Sequence, residues 1–247
     1  MADVILKGEF HNSSADQIEE RDILTEGVSA LVLEGRDPES EQTYAVHESW
    51  LFWVFALFDW IMSPIYQSSD LLIDLARSQD AEIKFTRETD YSLSRNAPWY
   101  LHLTAALTFY FVLLISMAVG IYWNRTIFGA TLLFLSILIP LLTLRIYNMR
   151  MNDGEKNRDR IMAKKIEEPV NDEDEPVLAI VGDAHVEGVK SHISDGIDVE
   201  IKEPVQSRLS IQFLKEYAEG IIKAYSLTLG LYLMILFFME RLVQYAP

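Results

Sequence analysis

The sequence has no cysteine among its 247 residues. This absence excludes disulfide bonds, thiolate nucleophiles and cysteine-ligated zinc sites. Basic residues are also scarce, with 21 Lys and Arg against 37 Asp and Glu and a formal net charge of −16. Because this charge repels phosphate groups, nucleic acid and anionic lipid headgroups are not expected partners. The N-terminal apolar run is too short for a signal peptide and no cleavage site follows it.

Long apolar runs are present in three places. Trp99–Trp123, Thr126–Leu144 and Ile221–Val243 are each long and apolar enough to cross a bilayer as a helix. The first two runs are separated only by Asn124 and Arg125, which predicts an antiparallel membrane hairpin. The sequence therefore predicts an integral membrane protein with the lipid bilayer as a partner.

A fourth apolar segment, Trp50–Tyr66, is shorter and interrupted. It carries Asp59 near its middle and Pro64 near its end, and Asp59, Ser63 and Gln67 recur at four-residue spacing. A carboxylate in the middle of a bilayer is costly, and tryptophan favours the membrane surface. The pattern predicts an interfacial helix near residues 50–66, lying against the membrane or the soluble domain.

Lysine and arginine near the apolar runs predict the orientation in the membrane. Those on the side of the soluble segments are Lys84, Arg87, Arg95, Arg145, Arg150, Lys156, Arg158, Arg160, Arg208, Lys215 and Lys223. On the other side lie Arg125 and Arg241. The positive-inside rule then predicts a multi-pass protein of the cell membrane with a cytoplasmic soluble domain and an external C-terminus.

The soluble segments have the pattern of an α/β domain. Asp3–Phe10 and Ser29–Leu33 are predicted strands, and the helix between them is capped by Ser13 or Ser14 and closed by Gly27. Strand, helix and strand at this length indicate a βαβ unit and a parallel sheet. Further predicted elements are helices at Asp70–Arg77 and Glu155–Ile166 and strands at Ala81–Thr86 and Val177–Val181.

The expected fold class is therefore a split α/β domain with a mostly parallel sheet plus transmembrane helices. A membrane hairpin is inserted between its two halves, and one membrane helix follows at the C-terminus. The predicted divisions are 1–97 and 148–215 for the two halves, 98–147 for the hairpin and 216–247 for the last helix.

Two segments share a motif in which a strand ends at glycine and a histidine follows three residues later. Gly8 precedes His11, and Gly182 precedes His185. In an open parallel sheet, ligands bind beyond the carboxyl ends of the strands, where glycine allows a tight turn. If both strands belong to one sheet, the two histidines converge, and Glu34 leaves the second strand at the same edge.

Two histidines and a carboxylate are ligands suited to a divalent transition metal with open positions, such as Mn, Fe, Co or Zn. The alternative is that each histidine only caps or packs a turn, as partly buried histidines commonly do. The pair together with Glu34 favours a metal site formed by His11, His185 and Glu34.

Four ordered motifs carry a resemblance to a known family. They are Gly8-x-x-His11, Leu33-Glu34-Gly35-Arg36, Asn157-Arg158-Asp159-x-x-Met162-Ala163 and Val181-Gly182-x-Ala184-His185-Val186-x-Gly188. Together they resemble the TraB/PrgY/GumN family and its TIKI-type metalloprotease relatives, within a wider circle of erythromycin-esterase-like and ChaN-like proteins. The resemblance implies a split α/β domain with two Gly-x-x-His loops and a glutamate at the active centre. The TIKI branch further implies metal-dependent peptide hydrolysis.

One departure from the family pattern concerns the first motif. Glu9 stands where the TraB branch usually has threonine, which is closer to the esterase-like and ChaN-like pattern. Glu9 and Asp183 lie inside the two loops, where each can hold a histidine ring. His47, His102 and His192 match no motif, and no role is assigned to them.

The charged residues of the remaining motifs have two interpretations. On the family resemblance, Arg158 orients a ligand or stabilises an oxyanion, with Asp159 beside it in support. The alternative is an ordinary solvated ion pair between these neighbours. Arg36 is expected to be a local charge partner of Glu34 rather than a catalytic group.

The sequence leaves three functions open. The first is a membrane-anchored, metal-dependent hydrolase, most plausibly a peptidase, in which Glu34 ligates the ion or acts as general base. The second is a non-catalytic regulatory protein that captures a peptide or small molecule in the same cleft. The third is a membrane assembly in which the domain is only a scaffold, and a homo-oligomer is compatible with all three.

Overall fold

The computed structural model describes residues 3–36, 49–65, 69–87, 97–151, 154–170 and 175–245. Its strands are β1 (Val4–Glu9), β2 (Ala30–Arg36), β3 (Glu82–Arg87), β4 (Val177–Gly182) and β5 (Val199–Lys202). Its α-helices are α1 (Ser14–Thr25), α2 (Ser49–Met62), α3 (Asp70–Ser78), α4 (Trp99–Trp123), α5 (Thr126–Met151), α6 (Gly154–Glu167), α7 (Val186–Lys190) and α8 (Ile211–Tyr245). A short 3₁₀ turn, Asp183–His185, separates β4 from α7.

The five strands form one parallel sheet in the order β3-β2-β4-β1-β5. The predicted α/β domain with a parallel sheet is confirmed at this level. Strand β4 lies between β1 and β2, with Glu9 opposite Gly182 and Leu33 opposite Ile180. Both glycine–histidine motifs and the end of β2 therefore reach the same edge of the sheet.

Alternating residues of β4 supply the two faces of the sheet. Val177, Ala179 and Val181 pack in one buried cluster with residues of α6 and α7. Leu178 and Ile180 pack in a second buried cluster with residues of α1 and α3. A strand buried on both faces has a continuous apolar sequence rather than an alternating one, as the run Val-Leu-Ala-Ile-Val has.

Helix α1 begins and ends where local chemistry dictates. The Ser13 side chain accepts a hydrogen bond from the Asp16 backbone N–H at 3.2 Å, so Ser13 rather than Ser14 is the N-cap. At the other end Gly27 has φ +100°, a left-handed conformation that glycine adopts at low cost. Because Ser13 caps the helix, α1 starts directly after the loop that carries His11.

Three helical segments are long and apolar enough to cross a membrane. They are Trp99–Trp123, Thr126–Leu144 and Ile211–Arg241, with mean hydropathies of 2.1, 2.4 and 1.9. They expose large apolar side chains such as Phe111, at 66 % exposure. Such a surface is unfavourable in water and suits lipid, which supports membrane association.

The C-terminal helix differs from the predicted one in where it begins. Apolar periodicity predicts a membrane helix from Ile221, whereas α8 starts at Ile211 and runs for 35 residues. Lys215, Glu216 and Glu219 lower the hydropathy of its first turns, but charged side chains do not interrupt a helical backbone.

Helix α2 lies near the predicted interfacial segment and has 14 residues. Gln67, the last residue of the proposed polar stripe, lies outside the described residues.

The chain divides into two compact units. One comprises Met1–Gln42, Tyr66–Asp90 and Asn152–Tyr217 and contains the sheet. The other comprises Thr43–Ile65, Tyr91–Met151 and Ala218–Pro247 and contains α2, α4, α5 and most of α8. Helix α2 therefore clusters with the apolar helices rather than with the first half of the α/β domain.

Candidate functional site

The two histidine motifs and Glu34 meet around Gly182. A side-chain carbon built on Gly182 would lie 3.1 Å from Glu34 Oε2, 3.6 Å from His11 Nε2 and 3.8 Å from His185 Cδ2. The structure therefore brings together the three residues proposed from sequence as a ligand set. Glycine at position 182 leaves the space between them open, which a larger residue would fill.

The Glu34 carboxylate is held by two donors of different kinds. The Gly182 N–H donates to Oε2 at 2.5 Å, and Arg158 Nη2 donates to Oε1 at 3.1 Å. The Glu34 side chain is only 2 % exposed, so its charge needs such partners. Arg158 is therefore a charge partner of Glu34. The predicted contact between Arg36 and Glu34 stays a prediction, because the Arg36 side chain lies outside the described part of the structure.

A carboxylate stands behind each site histidine. His11 Nδ1 lies 2.5 Å from Glu9 Oε1, and His185 Nδ1 lies 2.8 Å from Asp159 Oδ1. Such contacts fix the ring and its tautomer so that Nε2 faces the site. His185 Nε2 lies 3.9 Å from Glu34 Oε1, so the second ring borders the buried carboxylate.

Of the two acids expected to contact a site histidine ring, Glu9 and Asp183, only Glu9 does so. Glu9 contacts His11 as expected, whereas Asp183 accepts a hydrogen bond from Arg208 Nη2 at 3.1 Å. Asp159 of α6 contacts His185 instead, because α6 packs on the same sheet face as α7. The family motif that contains Asp159 is therefore adjacent to the second histidine, which sequence spacing did not reveal.

The Nε–H of Arg158 is a donor that the ion pair with Glu34 does not use. Its Nε is buried and has no hydrogen-bond partner among the described residues. An unpaired buried donor is costly, and beside a candidate site it is a natural contact for an anionic ligand or an oxyanion.

Gly8 keeps the first loop close to the start of α7. A side-chain carbon on Gly8 would come within 2.8 Å of Val186 Cγ2 and 3.5 Å of Pro204 Cδ. Any larger residue at this position requires the Val186 side chain to move. The glycine of the first motif thus has a packing role distinct from that of Gly182.

Sequence reasoning missed a charged cluster beneath the first loop. Lys7 is fully buried, and its Nζ contacts Asp16 Oδ1 at 3.3 Å, Glu19 Oε2 at 2.6 Å and the Glu203 carbonyl at 2.7 Å. Asp16 is also fully buried and accepts hydrogen bonds from the backbone N–H groups of Phe10 and Val205. The cluster fastens the chain just before His11 to the body of the domain.

A signal for this cluster exists in the helix pattern. Asp16, Glu20, Ile23 and Leu24 all face the interior of the domain from α1, at the spacing of one helical stripe. Acids in an otherwise apolar stripe mark a buried polar site. The pKa of Glu20 is raised to about 9. Burial is the largest cause, the nearby acids Glu9 and Asp16 also raise the pKa, and Lys7 partly opposes the rise.

The donors at the sheet edge meet some of the requirements of a metal ion. Imidazole nitrogens held from behind by carboxylates are the usual form of metal-binding histidine, and Glu34 supplies oxygen. Among the described residues, no group of three or more His, Asp or Glu side chains is gathered closely enough to hold an ion as it stands. The types of donor suit a divalent transition metal, but the described side chains do not form a closed ligand set, and Glu34 is paired with Arg158 in this arrangement.

Comparison of the chain with family models, with curated proteins and with solved structures gives no match. The resemblance to the TraB/PrgY/GumN family remains a prediction that depends on the order of the four motifs. The geometry around Gly182 is independent of that resemblance, because it follows from strand order, register and side-chain contacts.

Proposed function

We propose that this chain is a membrane-anchored, metal-dependent hydrolase, specifically a peptidase related to the TraB and TIKI-type proteins. The observation that carries the proposal is the meeting of His11, His185 and Glu34 around Gly182. Each histidine is backed by a carboxylate, and the glutamate is buried and oriented by two donors. Such pre-organisation is typical of catalytic sites rather than of turn-capping residues.

In this proposal His11 and His185 hold the metal through Nε2, and Glu34 either ligates it or serves as general base. The bound ion would lower the pKa of a water molecule and so supply a nucleophile at neutral pH. The Gly182 N–H fixes one oxygen of Glu34, which keeps the carboxylate directed at the space between the histidines. Arg158 neutralises Glu34 in the resting arrangement and offers its Nε–H to a developing oxyanion.

The proposal includes an arrangement in the membrane. The α/β domain is split by the hairpin of α4 and α5, lies on the cytoplasmic side and carries the site there. The C-terminus lies outside. The distribution of lysine and arginine in the sequence supports this orientation, and the three apolar helices supply the anchor.

The test is peptide hydrolysis by the purified full-length protein. Turnover of a peptide library should be lost on chelation and restored by a divalent transition metal. Glu34→Gln should lower the rate by ~10²–10⁴ because the amide keeps the shape but cannot act as a base. His192→Gln is the matched control, since His192 is exposed just after α7 and its ring contacts the Gly188 carbonyl and the Ser191 hydroxyl. Full turnover in Glu34→Gln would show that Glu34 is structural.

A non-catalytic binding protein is the second candidate, and one observation favours it. Both Glu34 oxygens already accept hydrogen bonds, from Gly182 and Arg158. A glutamate so engaged can serve to order a binding cleft without abstracting a proton. If the library contains peptides that bind the protein but none that it cleaves with any transition metal, this candidate replaces the first.

A further inference from the structure

Arg208, in the segment between β5 and α8, contacts both loops that carry a site histidine. Its Cζ lies 4.9 Å from the centroid of the Phe10 ring, and Phe10 immediately precedes His11. Its Nη2 donates a hydrogen bond to Asp183 Oδ2 at 3.1 Å, and Asp183 begins the short turn that ends at His185. The mechanism proposed above leaves Arg208 without a role.

The two contacts use different parts of one guanidinium group. The face of a guanidinium can stack on an aromatic ring while an N–H at its edge donates to a carboxylate, which a lysine ammonium cannot reproduce with the same geometry. The Phe10 ring also packs edge-to-face on the Phe213 ring, with 5.2 Å between their centroids. Arg208 therefore contacts a ring that is itself held in place.

The backbone leading to Arg208 is fastened to the same part of the domain. The Val205 N–H donates to Asp16 Oδ1 at 2.6 Å, and the Glu203 carbonyl accepts a hydrogen bond from Lys7 Nζ at 2.7 Å. The other oxygen of Asp16 accepts a hydrogen bond from the Phe10 N–H at 3.1 Å. One buried carboxylate thus places both the Phe10 backbone and the segment that carries the guanidinium.

The exposure of the ion pair indicates a local role. The side chains of Arg208 and Asp183 are 59 % and 36 % exposed. An exposed ion pair contributes little to the stability of a whole domain. What this one can determine is the position of two loops that begin at the ends of neighbouring strands, β1 and β4.

We propose that Arg208 is a positioning residue that ties the two histidine loops to each other. It does so through the Phe10 ring on one side and the Asp183 carboxylate on the other. The spacing of His11 and His185 around Gly182 then depends on this bridge. The bridge itself follows from the contacts, whereas its consequence for metal binding rests on the proposed function.

The first experiment is hydrogen–deuterium exchange of the full-length protein without metal. Arg208→Gln should speed amide exchange in residues 10–13 and 183–186 by up to about fivefold, the factor that corresponds to the loss of an exposed ion pair. The unfolding temperature should hardly change. Arg21→Gln is the matched control, because Arg21 is also an exposed arginine paired with a carboxylate, that of Asp22. It should leave both loops unchanged.

Asp183→Asn separates a bridge from two unrelated contacts. The amide keeps the shape of the side chain and removes its charge, so the second loop loses its hold on Arg208. If Arg208 couples the loops, exchange should also rise in residues 10–13, and combining Asp183→Asn with Arg208→Gln should add nothing further there. A rise confined to residues 183–186 in Asp183→Asn, or no rise in either loop in Arg208→Gln, overturns the proposal.

The second experiment measures Co²⁺ affinity by calorimetric titration. Arg208→Gln should bind Co²⁺ about tenfold more weakly than wild type, in the range found for groups that hold ligands in place, and Arg21→Gln should match wild type. Equal affinity in Arg208→Gln and wild type would refute the consequence for the site. If the loops loosen as expected but the wild type binds no transition metal, the proposed function fails and the bridge stands. If the wild type binds Co²⁺ but the loops do not respond to Arg208→Gln, the bridge fails alone.

Discussion

The two site histidines are held by carboxylates of different origin. His11 contacts Glu9, two residues earlier in the chain, and its side chain is 43 % exposed. His185 contacts Asp159 from another element, and its side chain is 16 % exposed. A side-chain carbon on Gly188 would overlap the Asp159 carboxylate, so Gly188 of the second motif leaves room for this contact. The second histidine is therefore the more rigidly placed of the two.

The first residue-scale prediction is that the protein binds a metal through His11 and His185. The purified protein should carry a transition metal at about one equivalent, the stoichiometry of a single site. His11→Ala and His185→Ala should abolish it, because each removes a ligand nitrogen, whereas His192→Ala should not. Elemental analysis of protein purified without added metal measures this. Equal metal loss in all three variants would reject the assigned ligands.

The second residue-scale prediction concerns stability and pH. The pKa of Glu20 is raised from 4.5 to about 9 by burial, so the folded state holds a proton that the unfolded chain releases above pH 4.5. The stability due to this group is complete below pH 4.5 and is lost as the pH rises toward 9. The slope is at most ~1.4 kcal/mol per pH unit. Glu20→Gln should therefore gain in unfolding temperature relative to wild type between pH 5 and pH 8.

The control for this prediction is Glu26→Gln, since Glu26 is exposed at the end of the same helix. Thermal unfolding of both variants and the wild type, recorded across that pH range, gives the comparison. A Glu20→Gln curve parallel to that of the wild type would show that Glu20 is ionised in the folded protein.

At the scale of elements, the site depends on how α1 begins. The loop from Phe10 to Ser13 lies between β1 and α1 and carries His11. Its two ends are fixed by the Asp16 carboxylate, which accepts from the Phe10 N–H at 3.1 Å, and by the Ser13 cap. The helix start and the histidine loop are thus one structural unit.

Ser13→Ala should destabilise the protein by ~1 kcal/mol, the usual cost of losing an N-cap side chain. The Asp16 N–H would lose its acceptor in a site where Ser13 is only 2 % exposed. Denaturant unfolding measures the loss. Ser78→Ala is the control, because the exposed Ser78 hydroxyl lies at the C-terminal end of α3 and bonds only to the Leu75 carbonyl. Equal stability of both variants would show that the cap contributes nothing.

Sequence patterns predicted the elements whose signals are local. The run of five apolar residues in β4 is bounded by Pro176 and Gly182, and the bounds of the predicted strand and the observed strand differ by one residue. Strand β5 was missed, because Val199–Lys202 alternates apolar and charged residues over only four positions and pairs with β1 nearly 200 residues away. Nothing local distinguishes such a strand from a loop.

The candidate site shows the same division between local and non-local information. The convergence of His11, His185 and Glu34 was predictable, because it needs only parallel strands and motifs at their ends. The contact between Arg158 and Glu34 was not, since Arg158 comes from α6, whose packing on the sheet the sequence does not encode locally. The buried acid Glu20 was missed for a related reason, as its neighbours are brought together only by the fold.

At the scale of the whole molecule, the number of membrane crossings is constrained by the site. His11 and His185 follow the adjacent strands β1 and β4, so the chain between them must cross a membrane an even number of times. Helices α4 and α5 supply two crossings if both span. Helix α2 has 14 residues, fewer than the ~20 that a crossing requires. Parity and length together predict that α2 does not cross.

Single cysteines test this arrangement in a chain that has none of its own. Ser14→Cys, Ser78→Cys and Ser194→Cys should be shielded from an impermeant thiol reagent in intact cells and react after lysis. Cysteines in place of Asn124 or Gln244 should react from outside, because the proposed orientation, based on the positive-inside rule, has both positions on the external side. Labelling of Ser14→Cys and Ser194→Cys from opposite sides would separate the two histidines and refute the shared site.

The central position of β4 has a consequence for synthesis on the ribosome. Strands β1 and β2 are consecutive in the chain but do not pair with each other, since β4 lies between them. Strand β2 can pair earlier with β3, but β1 pairs only with β4 and β5 and must wait until Val177–Gly182 has been translated, after the apolar helices α4 and α5 have already emerged. Chaperone protection or early membrane engagement of the nascent chain is therefore needed before the sheet closes. A chain truncated before Val177 should be recovered as a protease-sensitive species, however firmly its hairpin is inserted.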